Sequence, residues 1–351
     1  MKVFHLMSGA PYGGVERLAL RLAGLLAREK VPQRAMFARD AARAKAFDAL
    51  GVPPIEMDFP SRFAFLDRRH INAAIKRFAP DIVISWTPDV AAMVQKGDFV
   101  HVGRLGTSFD HQELLNKCQH LFTPSLARAN AAMVAGWSVQ QVHVPPHIPM
   151  QEEVRKAAPM NRKTLYTPPT AKLIFTSMRL LKKQGLETLL DAIARLSGYY
   201  LWIAGDGADR EALGAAAHER GVKPRVRFLG WQDNLVPYLT ACDVFVTPAK
   251  QEDVGDAVVE AWAGGAPVIA ADSLGPGLLI KHKENGLLVP VDDAVNLAEA
   301  VKWVTGDKAL AGKLREEDAK TFTETFAMDK VAPQYLDFLN KLSAKTAASP
   351  A

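Results

Sequence analysis

Short apolar runs alternate with helical segments along almost the whole chain, and this alternation limits the fold more than any other feature. The runs are KVFHLM, QRAMFA, DIVISW, FVHVGRL, HLFTP, KLIFTSM, YLWIAG, VRFLG, DVFVTP, APVIAAD and GLLVP. They are rich in Val, Ile and Phe and are bounded by Gly, Pro or Asp, as in strands buried on both faces. Segments such as VERLALRLAGLLARE repeat apolar residues with helical spacing. The pattern predicts an α/β protein with parallel sheets covered by helices.

The alternation is interrupted once, near the middle of the chain. Residues 144–172 are rich in proline and charge and lack periodicity, which is typical of a segment between domains. We therefore predict two Rossmann-like, doubly wound domains, residues 1–160 and 161–327. A last helix at about 328–345 is expected to pack back on the first domain. Doubly wound sheets bind ligands at the carboxyl ends of their strands, so we expect the site in a central cleft that the two domains face.

Composition excludes several classes of protein. The 351 residues carry a net charge of +5, and the basic residues are scattered. The densest basic segment, residues 67–78, is either a helix that touches an anionic membrane or, as we favour, a solvated helix face. No nucleic-acid-binding motif occurs, so no nucleic-acid partner is expected.

The sequence also gives no sign of a membrane span or of export. No apolar run approaches about 18 residues, and the N-terminal run is too short for a signal peptide. Cys118 and Cys242 have no metal-binding or disulfide spacing and are interpreted as small buried residues. We therefore predict a cytoplasmic protein.

Three loops that follow predicted strands contain residues suited to phosphate or nucleotide. Gly13 and Gly14 precede a helix and form either a phosphate loop or a tight turn. Arg179 directly follows an apolar strand, with Lys182 and Lys183 behind it, and such cations suit a diphosphate, although a basic surface loop would also explain the lysines. Gly207 lies in GDGAD, which either lines a nucleotide pocket or forms a turn in which Asp209 caps the next helix.

Two glutamates, Glu252 and Glu260, stand eight residues apart in KQEDVGDAVVEAW. Glu260 lies within an apolar run, where an unpaired carboxylate is rarely buried. The helix that begins near Gly255 would present the amides around Val254, Gly255 and Asp256 to a ligand. The helix dipole could also explain Glu260, and solvent exposure could explain Glu252. Neither explanation accounts for a charged residue between the apolar segments AVV and AWAGGAP.

In this order, the segments resemble a known family. TPAKQEDVGDAVVEAWAGGAPVIAAD, followed by ENGLLVPVDD, resembles the E-x7-E signature of the retaining nucleotide-sugar glycosyltransferases of family four, which have the GT-B fold. GAPYGGVERLALRLA, SMRLLKKQGLETLLDAI, YLWIAGDGADREAL and RVRFLGW resemble other segments of that family. The resemblance covers nearly the whole chain, and DFVHVGRLG and EAW point to the lipopolysaccharide-biosynthesis type.

The resemblance implies roles for individual residues. Glu260 would bind the ribose hydroxyls of the donor, and Glu252 would lie beside its sugar. The amides around Val254–Asp256 would contact sugar or phosphate. Arg179 and Lys183 would bind the diphosphate, for which Gly13 and Gly14 would make room.

Some positions depart from the family pattern. Met178 replaces a glycine, and Gln184 replaces the diphosphate lysine, a role that Lys183 is expected to take. Asp253 and Asp256 bring negative charge close to the expected phosphate, which is unfavourable. The family's N-terminal histidine has no clean match. Among His101, Arg104 and His111 we choose Arg104 as the candidate catalytic residue, and the candidate His5 is interpreted as a core residue.

The predicted function is retaining transfer from a nucleotide-diphosphate sugar, of the UDP or GDP type, to a hydroxyl of a glycan or glycolipid. The reaction is expected to serve the synthesis of lipopolysaccharide or of another envelope polysaccharide. The protein is expected in the cytoplasm or bound peripherally to the inner face of an anionic membrane. Cationic side chains and a helix N-terminus would stabilise the leaving diphosphate, so we expect no metal and no other cofactor. A nucleotide-sugar 2-epimerase-like isomerase and a catalytically weak nucleotide-sugar-binding protein are the alternatives.

Overall fold

The computed structural model describes residues 1–8, 14–59, 64–105, 116–148, 158–252 and 254–347, with the backbone alone for Lys183 and residues 345–347. The chain divides into two compact units, one made of Met1–Ile148 and Met328–Ala351 and the other of Pro149–Ala327. The division precedes the predicted boundary at 160/161. Met160 already belongs to the second unit, because its N–H donates to the carbonyl oxygen of Pro237 over 2.8 Å.

Strands and helices alternate through both units. The strands are β1 (Val3–Met7), β2 (Gln33–Ala38), β3 (Pro54–Met57), β4 (Ile82–Ser85), β5 (Val100–Arg104), β6 (His120–Phe122), β7 (Val142–His143), β8 (Lys172–Ser177), β9 (Tyr199–Ala204), β10 (Val226–Gly230), β11 (Val244–Thr247), β12 (Val268–Ala271) and β13 (Leu287–Val289). The helices are α1 (Gly14–Arg28), α2 (Ala41–Ala49), α3 (Ala64–Phe78), α4 (Pro88–Ala91), α5 (Leu126–Val134), α6 (Leu186–Ala194), α7 (Arg210–Glu219), α8 (Val236–Ala241), α9 (Asp256–Gly264), α10 (Leu274–Leu279), α11 (Ala294–Gly306), α12 (Lys308–Thr321) and α13 (Met328–Ala347).

Each unit contains one parallel sheet. The strand order is β3-β2-β1-β4-β5-β6-β7 in the first unit and β10-β9-β8-β11-β12-β13 in the second. The chain order reverses between β1 and β4 and again between β8 and β11. Loops leave in opposite directions at such a switch point, which opens a crevice at the carboxyl ends of the strands. The predicted α/β class with two Rossmann-like sheets is confirmed.

Hydrophobic residues cover both faces of each sheet. On β1, Val3 and Met7 pack in a cluster with α1, whereas Phe4 and Leu6 face a second cluster that contains Ile71 of α3. On β8, Ile174 and Phe175 likewise belong to separate clusters. This alternation explains the continuous apolar runs, because a strand between two helical layers has no face exposed to water.

The last helix returns to the first unit. Val331, Tyr335 and Leu339 of α13 lie in the same core cluster as β1 and α1. The apolar positions of the helix are spaced at i, i+4 and i+8, so they share one face. None of the helices in the described ranges has the length and apolarity needed to cross a membrane.

Candidate functional site

The loops that follow β8 and β9 are joined by backbone hydrogen bonds. The N–H of Leu180 donates to the carbonyl oxygen of Asp206 over 3.0 Å, and the N–H of Asp209 donates to that of Leu180 over 3.1 Å. Arg179 immediately precedes the anchored Leu180, and its side chain is exposed. The backbone therefore fixes the base of this arginine while its guanidinium group remains accessible.

Gly207 is required by the close approach of these two loops. A Cβ atom at this position would lie only 2.4 Å from the carbonyl oxygen of Leu180, so a larger residue would force the loops apart. Asp209 strengthens the same junction, because its Oδ2 accepts a hydrogen bond from the N–H of Lys182 over 2.8 Å. Its carboxylate makes no capping hydrogen bond to α7, so the capping interpretation of Asp209 is wrong.

A third contact ties the loop after β11 to its neighbours. The Nζ of Lys250 lies 2.6 Å from Oδ1 of Asp292, which also accepts a hydrogen bond from Thr188 Oγ1 over 3.0 Å. The hydrogen bond from Lys250 lowers the pKa of Asp292. Sequence reasoning missed this link. No local signal marks it, because the three residues come from distant parts of the chain.

Glu252 is held at both its backbone and its side chain. Its carbonyl oxygen accepts a hydrogen bond from the N–H of Gly275 over 2.7 Å, and its Oε1 accepts one from the N–H of Gly255 over 3.1 Å. Gly255 directly precedes α9, so the carboxylate accepts a hydrogen bond from a backbone amide at the start of that helix. The sequence predicted that this amide would face a ligand, whereas Glu252 itself binds it in the structure.

Gly275, which sequence reasoning also missed, allows the loop to pack against α10. A Cβ atom here would lie 2.5 Å from the backbone nitrogen of Gly255 and 2.6 Å from that of Val254. Since these contacts are to backbone rather than to a flexible side chain, a larger residue would displace the loop. The GxG pattern in SLGPGLL is the only local signal of such a contact.

Glu260 is a buried carboxylate on α9. Its exposed fraction is 9%, and its neighbours Val259, Ala261 and Trp262 are still more buried. It lies about 6 Å from Asp256 along the helix axis, a little over one turn from the N-terminus. Asp256 itself is exposed in the first turn, where a carboxylate is stabilised by the helix dipole by about 0.3–1 kcal/mol. That position explains why the chain tolerates Asp256, one of the two aspartates that depart from the family pattern.

The segment that carries these loops matches a known family. Residues 159–321 match the model described as glycosyl transferases group 1. The lipopolysaccharide core biosynthesis glycosyltransferase LpsE of Rhizobium meliloti is 33% identical, and the similarity covers 97% of this chain and 99% of that protein. LpsD of the same organism is 31% identical over 98% of this chain and all of its own length. The chain belongs to the group 1 glycosyltransferases. The family and the enzyme class predicted from the motifs are confirmed.

Solved structures show the fold of this glycosyltransferase. Anabaena HepE, crystallised with UDP and glucose, superposes with a TM-score of 0.81 at 19% identity and covers 97% of this chain and 100% of its own. WaaG, a glycosyltransferase involved in lipopolysaccharide biosynthesis, has a TM-score of 0.71 at 16% identity and covers 96% of this chain and 99% of its own. The predicted GT-B fold is confirmed. As a member of group 1, the enzyme uses a nucleotide-sugar donor.

Two predicted site residues of the glycosyltransferase, Gly14 and Arg104, belong to the first unit, and others lie outside the described residues. Gly14 is the first residue of α1, and beyond its chain neighbours and its own helix backbone no atom of the described residues lies within 4 Å of the position that a Cβ would take. Arg104 ends β5 and is half-buried near Tyr335 of α13; burial raises the pKa of that tyrosine, and the arginine opposes the shift. Gly13 and Asp253 lie outside the described residues, as does the side chain of Lys183.

Two histidines of the glycosyltransferase are core residues. His5 accepts a hydrogen bond from Trp86 Nε1 at its Nδ1 (3.2 Å) and donates from Nε2 to Gln33 (2.9 Å). The Nδ1 of His101 donates to the carbonyl oxygen of Lys117 over 2.7 Å. Burial lowers the pKa of each ring to about 4, so both are neutral near pH 7.

The two cysteines of the enzyme are unreactive, and its described residues form no metal-binding cluster. Cys118 and Cys242 are buried, as predicted, and burial raises the pKa of each thiol to about 12. Such thiols are protonated and unreactive at neutral pH. No cluster of three or more His, Cys, Asp or Glu able to hold a metal occurs among the residues that the structure describes.

Proposed function

We propose that the enzyme transfers a sugar, with retention, from a UDP- or GDP-sugar to a hydroxyl group of the lipopolysaccharide core. The observation that carries the proposal is the pair of glutamates on one strand–loop–helix unit, with Glu260 buried on α9 and Glu252 fixed in the loop before it. The full-length similarity to two lipopolysaccharide core biosynthesis proteins supports the acceptor class.

Glu260 binds the ribose of the donor. A carboxylate can accept hydrogen bonds from two neighbouring hydroxyl groups, and its 9% exposed fraction leaves little competing water. A hydrogen bond to a charged group contributes about 1.5–3 kcal/mol when its partner is not exposed to solvent. This role explains why the chain keeps a charge between strongly buried apolar neighbours.

Arg179 and Lys183 bind the diphosphate and stabilise it as it leaves. Bond cleavage at the anomeric carbon places negative charge on the diphosphate, and fixed cations stabilise that charge without reorganisation. The hydrogen bonds of Leu180 and Lys182 to the loop after β9 fix the backbone that carries both residues. Because these groups already supply the positive charge, we propose that transfer requires no metal ion.

Glu252 contacts the donor sugar as a hydroxyl acceptor and is not a nucleophile. Its carboxylate accepts the N–H of Gly255, and a hydrogen bond to the charged form stabilises it and weakens its nucleophilicity. We therefore favour a front-face reaction in which the leaving diphosphate takes the proton of the acceptor hydroxyl. Arg104 of the first unit is kept as the candidate catalytic residue.

We place the enzyme in the cytoplasm and peripherally on the inner face of the cytoplasmic membrane. A lipopolysaccharide core is anchored in a membrane by its lipid, and the net charge of +5 favours an anionic surface. The first unit is the proposed acceptor domain, since the proposed donor residues Glu252, Glu260 and Arg179 lie in the second.

Nucleotide release tests the proposal. The protein is incubated with UDP-, GDP-, ADP- and CMP-sugars, with and without core glycolipid from a strain that lacks this gene, and with and without a chelator. We expect release from a UDP- or GDP-sugar only with acceptor, at a rate that the chelator does not change. Epimerised sugar without release, or tight binding with neither outcome, would overturn the proposal.

A further inference from the structure

A cavity of about 590 Å³ opens at the edge of the first sheet opposite to the carboxyl ends of the strands. It lies where β2 and β3 begin and α3 ends, and its lining includes Pro53, Ile55, Ala74 and Phe78. Ligand pockets commonly have volumes of about 300–1,000 Å³. The walls are apolar, and none of the residues proposed for donor binding lines the cavity.

Two arginines line the cavity, and one lysine lies near its aromatic residue. Arg34 and Arg77 line the cavity, and the Arg34 guanidinium lies 5.8 Å from the centre of the Phe78 ring. The Nζ of Lys2 lies 5.8 Å from the same ring. Two cations therefore lie near one aromatic side chain, and a third, Arg77, lines the same cavity.

These cations are not neutralised within the described part of the chain. No carboxylate there forms an ion pair with the side chain of Arg34, Arg77 or Lys2. The nearby Asp81 accepts a hydrogen bond from the backbone N–H of Lys2 over 2.6 Å. Positive charge is therefore in excess at the cavity, which suits an anion.

We propose that the cavity binds one acidic phospholipid by its headgroup. The phosphate pairs with Arg34, Arg77 and Lys2, and the glycerol and first acyl carbons lie against Phe78 and Ile55. A free phosphate would use only the cations and would leave the apolar walls exposed, whereas a phospholipid satisfies both.

The outer face of α3 suits a membrane on the same side. Arg69, Ala73 and Arg77 follow one another at i, i+4 and i+8, so the exposed Arg69 and the cavity residues form one stripe along the helix. Phe65, at the start of the helix, is 66% exposed. A basic stripe with an exposed aromatic residue is typical of helices that lie in a membrane interface. The cavity would give this contact a specific lipid ligand.

Titration with monomeric dihexanoylphosphatidylglycerol, followed by calorimetry, tests the proposal. A water-soluble monomer has no surface potential, so general attraction to a charged vesicle does not contribute. We expect saturable binding to the full-length protein, and at least tenfold weaker binding by the double variant Arg34→Gln/Arg77→Gln. Ala74→Phe, which fills the cavity without changing charge, should weaken binding to a similar extent.

The matched control is Arg68→Gln/Lys76→Gln, which removes the same charge from exposed positions of α3 that do not line the cavity. It should bind the lipid within about twofold of the wild type, because hydrogen bonds of the headgroup are local. Equal weakening in both double variants would overturn the proposal, as would inorganic phosphate that binds as tightly as the lipid. All variants should keep the wild-type melting temperature and acceptor-dependent nucleotide release in detergent. A failure here therefore leaves the proposed transfer reaction untouched.

Discussion

Glu252 combines a structural contact with a proposed contact to the donor. Its carboxylate accepts the N–H of Gly255 and so satisfies an amide at the start of α9. A helix-terminal amide left without a partner costs about 1 kcal/mol. Substitutions at this residue can separate the two roles, because glutamine keeps an oxygen acceptor whereas alanine does not.

We predict that Glu252→Ala lowers the free energy of unfolding by about 1 kcal/mol and that Glu252→Gln leaves it nearly unchanged. Both should reduce kcat/KM by roughly tenfold or more, since a neutral amide binds sugar hydroxyls less strongly than a carboxylate. Urea unfolding and donor-dependent turnover measure the two effects. Wild-type turnover by Glu252→Gln would restrict this residue to its structural role. Complete loss of turnover, restored by azide as a small external nucleophile, would instead indicate a covalent route.

Glu260 allows a direct test of donor binding. We predict that Glu260→Ala weakens nucleotide binding by roughly ten- to a hundredfold, which corresponds to about 1.5–3 kcal/mol of lost hydrogen bonding. Calorimetric titration with UDP and GDP measures the affinity. Glu316→Ala, an exposed carboxylate on α12, is the matched control and should bind like the wild type. A Glu260→Ala protein with a lower melting temperature but unchanged affinity would show that the residue is only structural.

At the scale of elements, the contact between α10 and the loop before α9 determines where Glu252 lies. Gly275 permits this contact, because a Cβ there would meet two backbone nitrogens within 2.6 Å. We predict that Gly275→Ala costs about 1–3 kcal/mol of stability and displaces the loop, so that turnover falls at temperatures where the protein is still folded. Gly214→Ala on α7 should be neutral or stabilising, because a Cβ there would meet no atom of the described residues within 4 Å beyond its own helix backbone and chain neighbours. Unchanged turnover by Gly275→Ala would contradict this account of the loop.

The buried histidines on β1 and β5 make the first unit sensitive to acid. The pKa of His5 and of His101 is about 4 in the folded protein and 6.5 in an unfolded chain. The unfolded state therefore binds more protons between these values, and stability falls as the pH decreases from 6.5 to 4. The loss is on the order of 3 kcal/mol for each ring. Urea unfolding between pH 7 and 5 measures the slope, which should decrease in His101→Gln and remain in the exposed-site control His70→Gln. A slope unaffected by His101→Gln would contradict this explanation.

Most elements could be predicted because their signals are local. The runs KVFHLM and DVFVTP needed only apolar composition and flanking breakers. The strands β3 and β7 were missed, and both lie at edges of the first sheet, where a strand needs less apolar character. Pro54 starts β3. Proline has no backbone N–H to donate, and an edge strand tolerates this because its open side pairs with no further strand. Sequence periodicity is weakest at such edges.

Spacing along the chain indicated the candidate site residues, whereas the contacts between distant residues were missed. The E-x7-E spacing identified both glutamates, and the apolar neighbours of Glu260 indicated its burial. The pairing of Asp209 with Lys182 was missed because a capping position and a tertiary acceptor have the same local sequence. The link between Lys250 and Asp292 depends on the order of strands in the sheet, which local patterns do not specify.

At the scale of the whole molecule, the second unit gives more evidence of function than the first. The family match covers residues 159–321, which lie within the second unit and include the loops of the proposed donor site. The first unit has the proposed acceptor role and offers no clean match to the family's N-terminal histidine, which is why Arg104 is its only proposed catalytic residue. Similarity to LpsE extends over both units, so the relationship is not confined to the donor half.

The most direct test of the account is the configuration of the transferred sugar. The purified protein is given a UDP- or GDP-hexose and core glycolipid from a strain that lacks this gene, and the product is examined by proton nuclear magnetic resonance. We predict one nucleoside diphosphate released for each sugar transferred, and a new anomeric signal with the configuration of the donor. An inverted linkage, or donor hydrolysis that the acceptor does not accelerate, would contradict the account.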